Sequence, residues 1–80
     1  MRVTIQLFAV LREQLGESID IDVPEPVTSS RLMERFFTAY PQFRAAAGSL
    51  NLAVDQNYVM EDEPIRPGAE VAIFPPVSGG

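Results

Sequence analysis

The 80-residue chain has room for one domain, and its 46% apolar content suits a single modest core rather than a disordered polymer. It contains no cysteine and no histidine, which excludes thiol nucleophiles, disulfides, thiolate metal sites and imidazole acid–base chemistry. Eleven acids against six basic residues give a net charge of −5, without the basic face that nucleic acid requires.

All six basic residues are arginines, so the chain carries no ε-amine nucleophile and no lysine through which one copy could be linked to another. No charged-then-apolar leader precedes the first alternating segment, and no apolar run approaches the roughly 18 residues of a membrane span. The expected setting is the cytoplasm, with neither membrane nor nucleic acid as a partner.

Along the chain, Val3, Ile5 and Leu7 alternate with Thr4, Gln6 and Phe8, which predicts a strand with one buried face. Ala9 to Leu15 read as a turn or short helical piece stopped by Gly16. A second strand follows with Ile19, Ile21 and Val23 inward and Asp20 and Asp22 outward, ended by Pro24 and Pro26. These two strands form a hairpin across a short loop. Thr28 is a candidate helix N-cap, and Leu32, Met33, Phe36, Phe37 and Tyr40 recur at the spacing of one helix face. Pro41 ends or kinks that helix, and Gln42 to Ala47 form a further turn closed by Gly48.

Leu50, Leu52 and Val54 predict a third strand, and Asp55-Gln56-Asn57 a turn that returns as Tyr58-Val59. Glu61-Asp62-Glu63 is an acidic loop without the spacing of a calcium site, so a solvated connection is expected there and no metal. Pro67-Gly68 makes a tight turn before the last strand, Val71, Ile73 and Phe74. The order is two strands, a helix, then two or three strands. It predicts an α+β domain of β-grasp (ubiquitin-like) type, with a mixed sheet packed on one main helix. The first strand then lies centrally and pairs in parallel with the last, the helix lying in the long crossover a parallel pair requires. Residues 1–74 form the β-grasp domain, and residues 75–80 are an extended tail projecting from a strand pinned inside the sheet.

That tail is the most informative segment. Gly79 and Gly80 have no Cβ and fit a channel too narrow for other residues. Pro75 and Pro76 favour an extended approach, and six residues reach roughly 20 Å. The alternative is an ordinary frayed end. Phe74 follows Ile73 and points to the opposite sheet face, which a single helix leaves uncovered. There it either joins Pro75, Pro76 and Val77 in an apolar partner surface or packs under a loop. Arg12, read as standing at the end of the first strand, either pairs with Glu13 or anchors a partner.

Three segments carry a family resemblance: Phe8-Ala9-Val10-Leu11-Arg12-Glu13, Leu52-Ala53-Val54-Asp55-Gln56, and Gly68 through Phe74-Pro75-Pro76-Val77-Ser78-Gly79-Gly80. In order and spacing they resemble the small subunits of molybdopterin synthase, over essentially the whole chain. One departure is Asp55, where that family usually has asparagine; as a turn residue, either is expected to serve.

The resemblance implies a ubiquitin-like sulfur carrier in molybdenum cofactor biosynthesis. Gly80, approached through Gly79, would be adenylated with ATP by a ubiquitin-activating-like adenylyltransferase. A sulfur donor protein would convert it to a thiocarboxylate. The tail would then enter the large synthase subunit, in a heterotetramer, and give its sulfur to a cyclic pyranopterin precursor to form the dithiolene of molybdopterin. Phe74, Pro75, Pro76, Val77, Ser78 and Arg12 would meet the partner. The chain itself would bind no cofactor or metal, and ATP belongs to the activating partner. A carboxylate with a pKa near ~3.5 is ionised and a poor electrophile at neutral pH. Without His, Cys or Lys this chain is therefore expected to be carrier and substrate, with catalytic groups supplied by partners. The alternatives are a thiamine-pathway sulfur carrier, a protein-modifying tag that transfers the same terminus to lysine, and an interaction module with an incidental Gly-Gly end.

Overall fold

A computed structural model describes residues 1–76. The first strand, β1 (Arg2–Leu7), buries Val3, Ile5 and Leu7 and leaves Arg2, Thr4 and Gln6 in solvent. The short segment after it is helix α1 (Ala9–Leu15), anchored by the fully buried Leu11. Gly16 ends it at φ 98°, a conformation open to glycine, and its N–H donates to the Arg12 carbonyl. The chain then returns as β2 (Ser18–Asp22), antiparallel to β1, with Val3 opposite Ile21 and Gln6 opposite Ser18. The expected pair is present, but a helix rather than a short loop joins it. Arg12 accordingly lies inside α1 and not at a strand end. Along β2, Ile21 and the following Val23 are buried, whereas Ile19 is only half-buried near the sheet edge.

The helix predicted from the apolar stripe is α2 (Ser29–Ala39), with Leu32, Phe36 and Phe37 buried and Met33 and Tyr40 partly so. Thr28 occupies the N-cap position with extended backbone, but its side chain makes no capping bond. The cap comes from Asp62, whose Oδ1 accepts from the Ser30 N–H at 2.9 Å and from Ser29 Oγ at 3.2 Å. Ser29 Oγ in turn accepts from the Glu63 N–H at 2.9 Å. The predicted solvated loop therefore holds the start of the main helix. After α2, Pro41 opens a 3₁₀ helix (Pro41–Ser49) that runs through Gly48, where a closing turn glycine was expected. Phe43 from this helix stacks on Phe36 at 5.9 Å and extends the core.

Two-residue strands β3 (Val27–Thr28) and β6 (Pro64–Ile65) pair antiparallel in a second small sheet that sequence periodicity does not disclose. Strand β4 (Asn51–Val54) turns into β5 (Asn57–Tyr58) through Asp55 and Gln56, at φ 52° and 70°. Positive φ at both positions of a two-residue connection is the type I′ arrangement that matches strand twist. The last strand, β7 (Val71–Phe74), follows a Pro67-Gly68 turn in which the Ala69 N–H donates to the Arg66 carbonyl at 3.2 Å and Gly68 has φ 84°.

The main sheet has the order β2-β1-β7-β4-β5, with β1 and β7 parallel and the other pairs antiparallel. This is the β-grasp arrangement expected from the sequence. Inward side chains of the sheet meet Leu32, Phe36, Phe37 and Phe43 in one core. The opposite face carries no helix among the described residues. Nor is any described helix long and apolar enough to cross a membrane.

Candidate functional site

The uncovered face divides in two. Toward β2 it is polar: Arg2 pairs with Asp22 at 3.1 Å, and Thr4 Oγ1 donates to Asp20 at 2.6 Å. Toward the C-terminal ends of β1 and β7 it becomes apolar. The parallel register sets Leu7 beside Ile73, both buried, so their successors Phe8 and Phe74 turn to the open side together. Phe8 meets Phe74 edge-on, with ring centres 6.4 Å apart and planes at 89°. Tyr58, reached through β4, lies on the other side of Phe74 at 5.3 Å.

These three rings, with Ala9, Ala72, Pro75 and Pro76, line a shallow apolar concavity. Phe8 is 43% exposed and Tyr58 57%, while Phe74 between them is half-buried. Phe74 is thus neither packed under a loop nor alone in solvent; it is the centre of an aromatic row at the point where β7 ends. An exposed aromatic row at the end of a strand is a candidate partner surface.

Of the expected tail and docking residues, Phe74, Pro75 and Pro76 are brought together here. Val77, Ser78, Gly79 and Gly80 lie outside the described residues. Arg12 stands on α1 with its Nη2 donating to Glu17 at 2.8 Å, both side chains largely in solvent. Its partner is Glu17 rather than the adjacent Glu13. It shares with Phe8 a small groove next to the aromatic row. Phe8 and Tyr58 were not singled out from the sequence as site residues. The available signal was Phe8 itself, an aromatic in the outward row of β1 after Thr4 and Gln6.

The Tyr58 hairpin is fastened from below by Asp55. Its carboxylate accepts from the Glu70 N–H at 3.0 Å and from Arg66 Nη2 at 2.8 Å, and its own N–H donates to the Glu70 carbonyl. These bonds, the Glu70 amide first, hold the Asp55 carboxyl below the usual carboxylate range. An asparagine could adopt the same backbone but would bring no charge to Arg66, so the two residues are not equivalent here. At the other flank Ala9 has φ 56°. That left-handed conformation costs an alanine about 1 kcal/mol or more.

Comparison with known proteins places the chain among relatives. The ThiS family model matches residues 5–80. A molybdopterin synthase sulfur carrier subunit from Dictyostelium discoideum is 41% identical over 80 residues, covering 95% of this chain and 93% of that protein. Among solved structures, a putative molybdopterin converting factor subunit 1 from Pyrococcus furiosus superposes with a TM-score of 0.83 at 28% identity, covering 96% of this chain and 99% of that one. SAMP1 from Haloferax volcanii does so with a TM-score of 0.83 at 26% identity and full coverage of both chains.

Proposed function

The chain belongs to the ThiS family, and we propose that within it this protein is the sulfur carrier subunit of a molybdopterin synthase. The observation that carries this reading is the aromatic row Phe8–Phe74–Tyr58 at the base of the segment that leads to Gly79-Gly80. An apolar face docks the body on the large synthase subunit, and the strand that supplies its central ring continues into the tail. Docking and delivery are thereby coupled through Phe74. Residues 1–74 act as the body, residues 75–80 as the delivery arm, and Arg12 lies at the rim of the docking face.

The chemistry at Gly80 is the one that the likeness to sulfur carrier subunits implies. Its carboxylate attacks the α-phosphorus of ATP on a ubiquitin-activating-like adenylyltransferase, forming the acyl adenylate and releasing pyrophosphate. The outer sulfur of a donor protein's persulfide then attacks the acyl carbon, and AMP leaves with the C–O bond's electrons. A second thiol from a partner cleaves the resulting acyl disulfide, leaving a thiocarboxylate on Gly80 and a disulfide on the donor side. In the large subunit that sulfur attacks a carbon of the cyclic pyranopterin precursor and displaces an oxygen substituent, and water cleaves the acyl–sulfur bond, restoring the Gly80 carboxylate. Two such transfers build the dithiolene. A chain with no His, Cys or Lys supplies the terminus as nucleophile, and the groups that activate it and move protons come from its partners. It presents a terminus narrow enough to enter two active sites, and it works in the cytoplasm, where ATP is supplied.

Two variants test the reading in a reconstituted synthase. Deleting Gly80 leaves the circular dichroism unchanged and abolishes dithiolene formation. Phe74→Ala leaves the tail intact but weakens binding to the large subunit by about 30-fold, the loss typical of a central aromatic anchor. Full dithiolene synthesis by the Gly80-deleted chain would refute the carrier role. Transfer of Gly80 to lysines of other proteins would instead indicate a protein-modifying tag.

A further inference from the structure

Among the described residues, the non-glycine positions with left-handed backbone are Ala9, Asp55 and Gln56. All three flank the aromatic row. Asp55 and Gln56 are explained by the two-residue turn, and Tyr58 beyond them is held independently by its ladder to Ala53. Ala9 has no such explanation. The β1–β7 ladder ends at Leu7 and Ile73, so Phe8 has no strand partner to fix it. Its place depends on the backbone to either side, extended at Phe8 itself (φ −134°, ψ 158°) and left-handed at Ala9.

Resting on the docking reading above, we propose that Ala9 is a positioning residue for the partner surface. Its left-handed backbone turns the chain out of β1 into α1 while keeping the Phe8 ring on the open face, edge-on to Phe74. The rest of α1 cannot absorb a change at this junction: Leu11 is fully buried, and the Gly16 N–H is tied to the Arg12 carbonyl. A right-handed backbone at residue 9 therefore shifts Phe8, the exposed side of the junction. Non-glycine residues persist in such conformations only where their surroundings over-determine them, and they gather at functional sites.

A double-mutant cycle tests this. Dissociation from the cognate large subunit is measured for Phe8→Ala, for Ala9→Val and for the double variant, with Phe74→Ala in parallel. Valine disfavours the left-handed region strongly, whereas glycine adopts it freely and asparagine tolerates it. Affinity should fall in the order Ala9→Gly, Ala9→Asn, Ala9→Val, with Ala9→Val ~tenfold weaker through faster dissociation, and the double variant no weaker than Phe8→Ala alone. If Ala9→Val does not fold by circular dichroism, Ala9→Ser takes its place in the cycle. Losses that multiply, as when a larger side chain merely collides with the partner, overturn the role of Ala9, and so does an Ala9→Val chain that binds normally. If Phe74→Ala also binds normally, the docking reading itself fails.

Discussion

Asp62 sits in a run of three acids, and its carboxylate holds the first turn of α2 from 32 residues away. Bonding to the Ser30 N–H, chiefly, lowers its pKa from the usual carboxylate value. A depressed folded-state pKa contributes stability that is present above the unfolded value of ~3.9 and is lost as pH falls through the folded one. Asp55 acts in the same direction. The melting temperature should therefore decline below about pH 4. Asp62→Ala should melt a few degrees lower than the unaltered chain at pH 7 and show a shallower decline below that pH. Equal slopes for the two chains would remove Asp62 from the account. Sequence reading assigned the cap to Thr28 because N-cap residues are sought next to their helix. A cap supplied from another loop has no local pattern. Phe74 was legible by contrast, since alternation with Ile73 suffices to turn it outward. Phe8 and Tyr58 join it only through a register that alternation does not supply.

At the scale of elements, the well-read segments are those long enough to show a period. Val3, Ile5 and Leu7 in β1, and Leu32, Phe36 and Phe37 in α2, each repeat several times against polar neighbours. Strands β3 and β6 have two residues each and no period to display; they exist because Val27 and Ile65 are buried together. Helix α2 is the element on which the sheet depends. Its Phe36 is fully buried against Phe37, Tyr40 and Phe43. Phe36→Ala should cost about 3–5 kcal/mol, a large share of the stability of a domain this small, measured by urea denaturation. The turn that launches β7 is a finer test. Gly68 is at φ 84° with open space around its Cα, so Gly68→Ala has no clash to make and should cost about 1 kcal/mol through backbone strain alone. A neutral result would mean that the Pro67-Gly68 turn is not what sets the start of β7.

At the scale of the whole molecule, the β-grasp order gives the last strand two paired neighbours, β1 and β4, and among the described residues one sheet face carries no helix. The strand that ends at Phe74 is fixed on both sides, and the aromatic row surrounds its exit. On the proposed function, body and arm divide the work: the sheet face selects the partner, and the glycine terminus carries the cargo. The family was legible in the sequence because Phe74-Pro75-Pro76-Val77-Ser78-Gly79-Gly80 joins both parts in one string. The most direct test is the intact mass of the chain after incubation with its activating enzyme, ATP and sulfide. A sulfur-for-oxygen gain localised to Gly80 by fragmentation, and abolished by omitting ATP, is the predicted result. An unchanged mass, or a gain placed on any other residue, would contradict the carrier function.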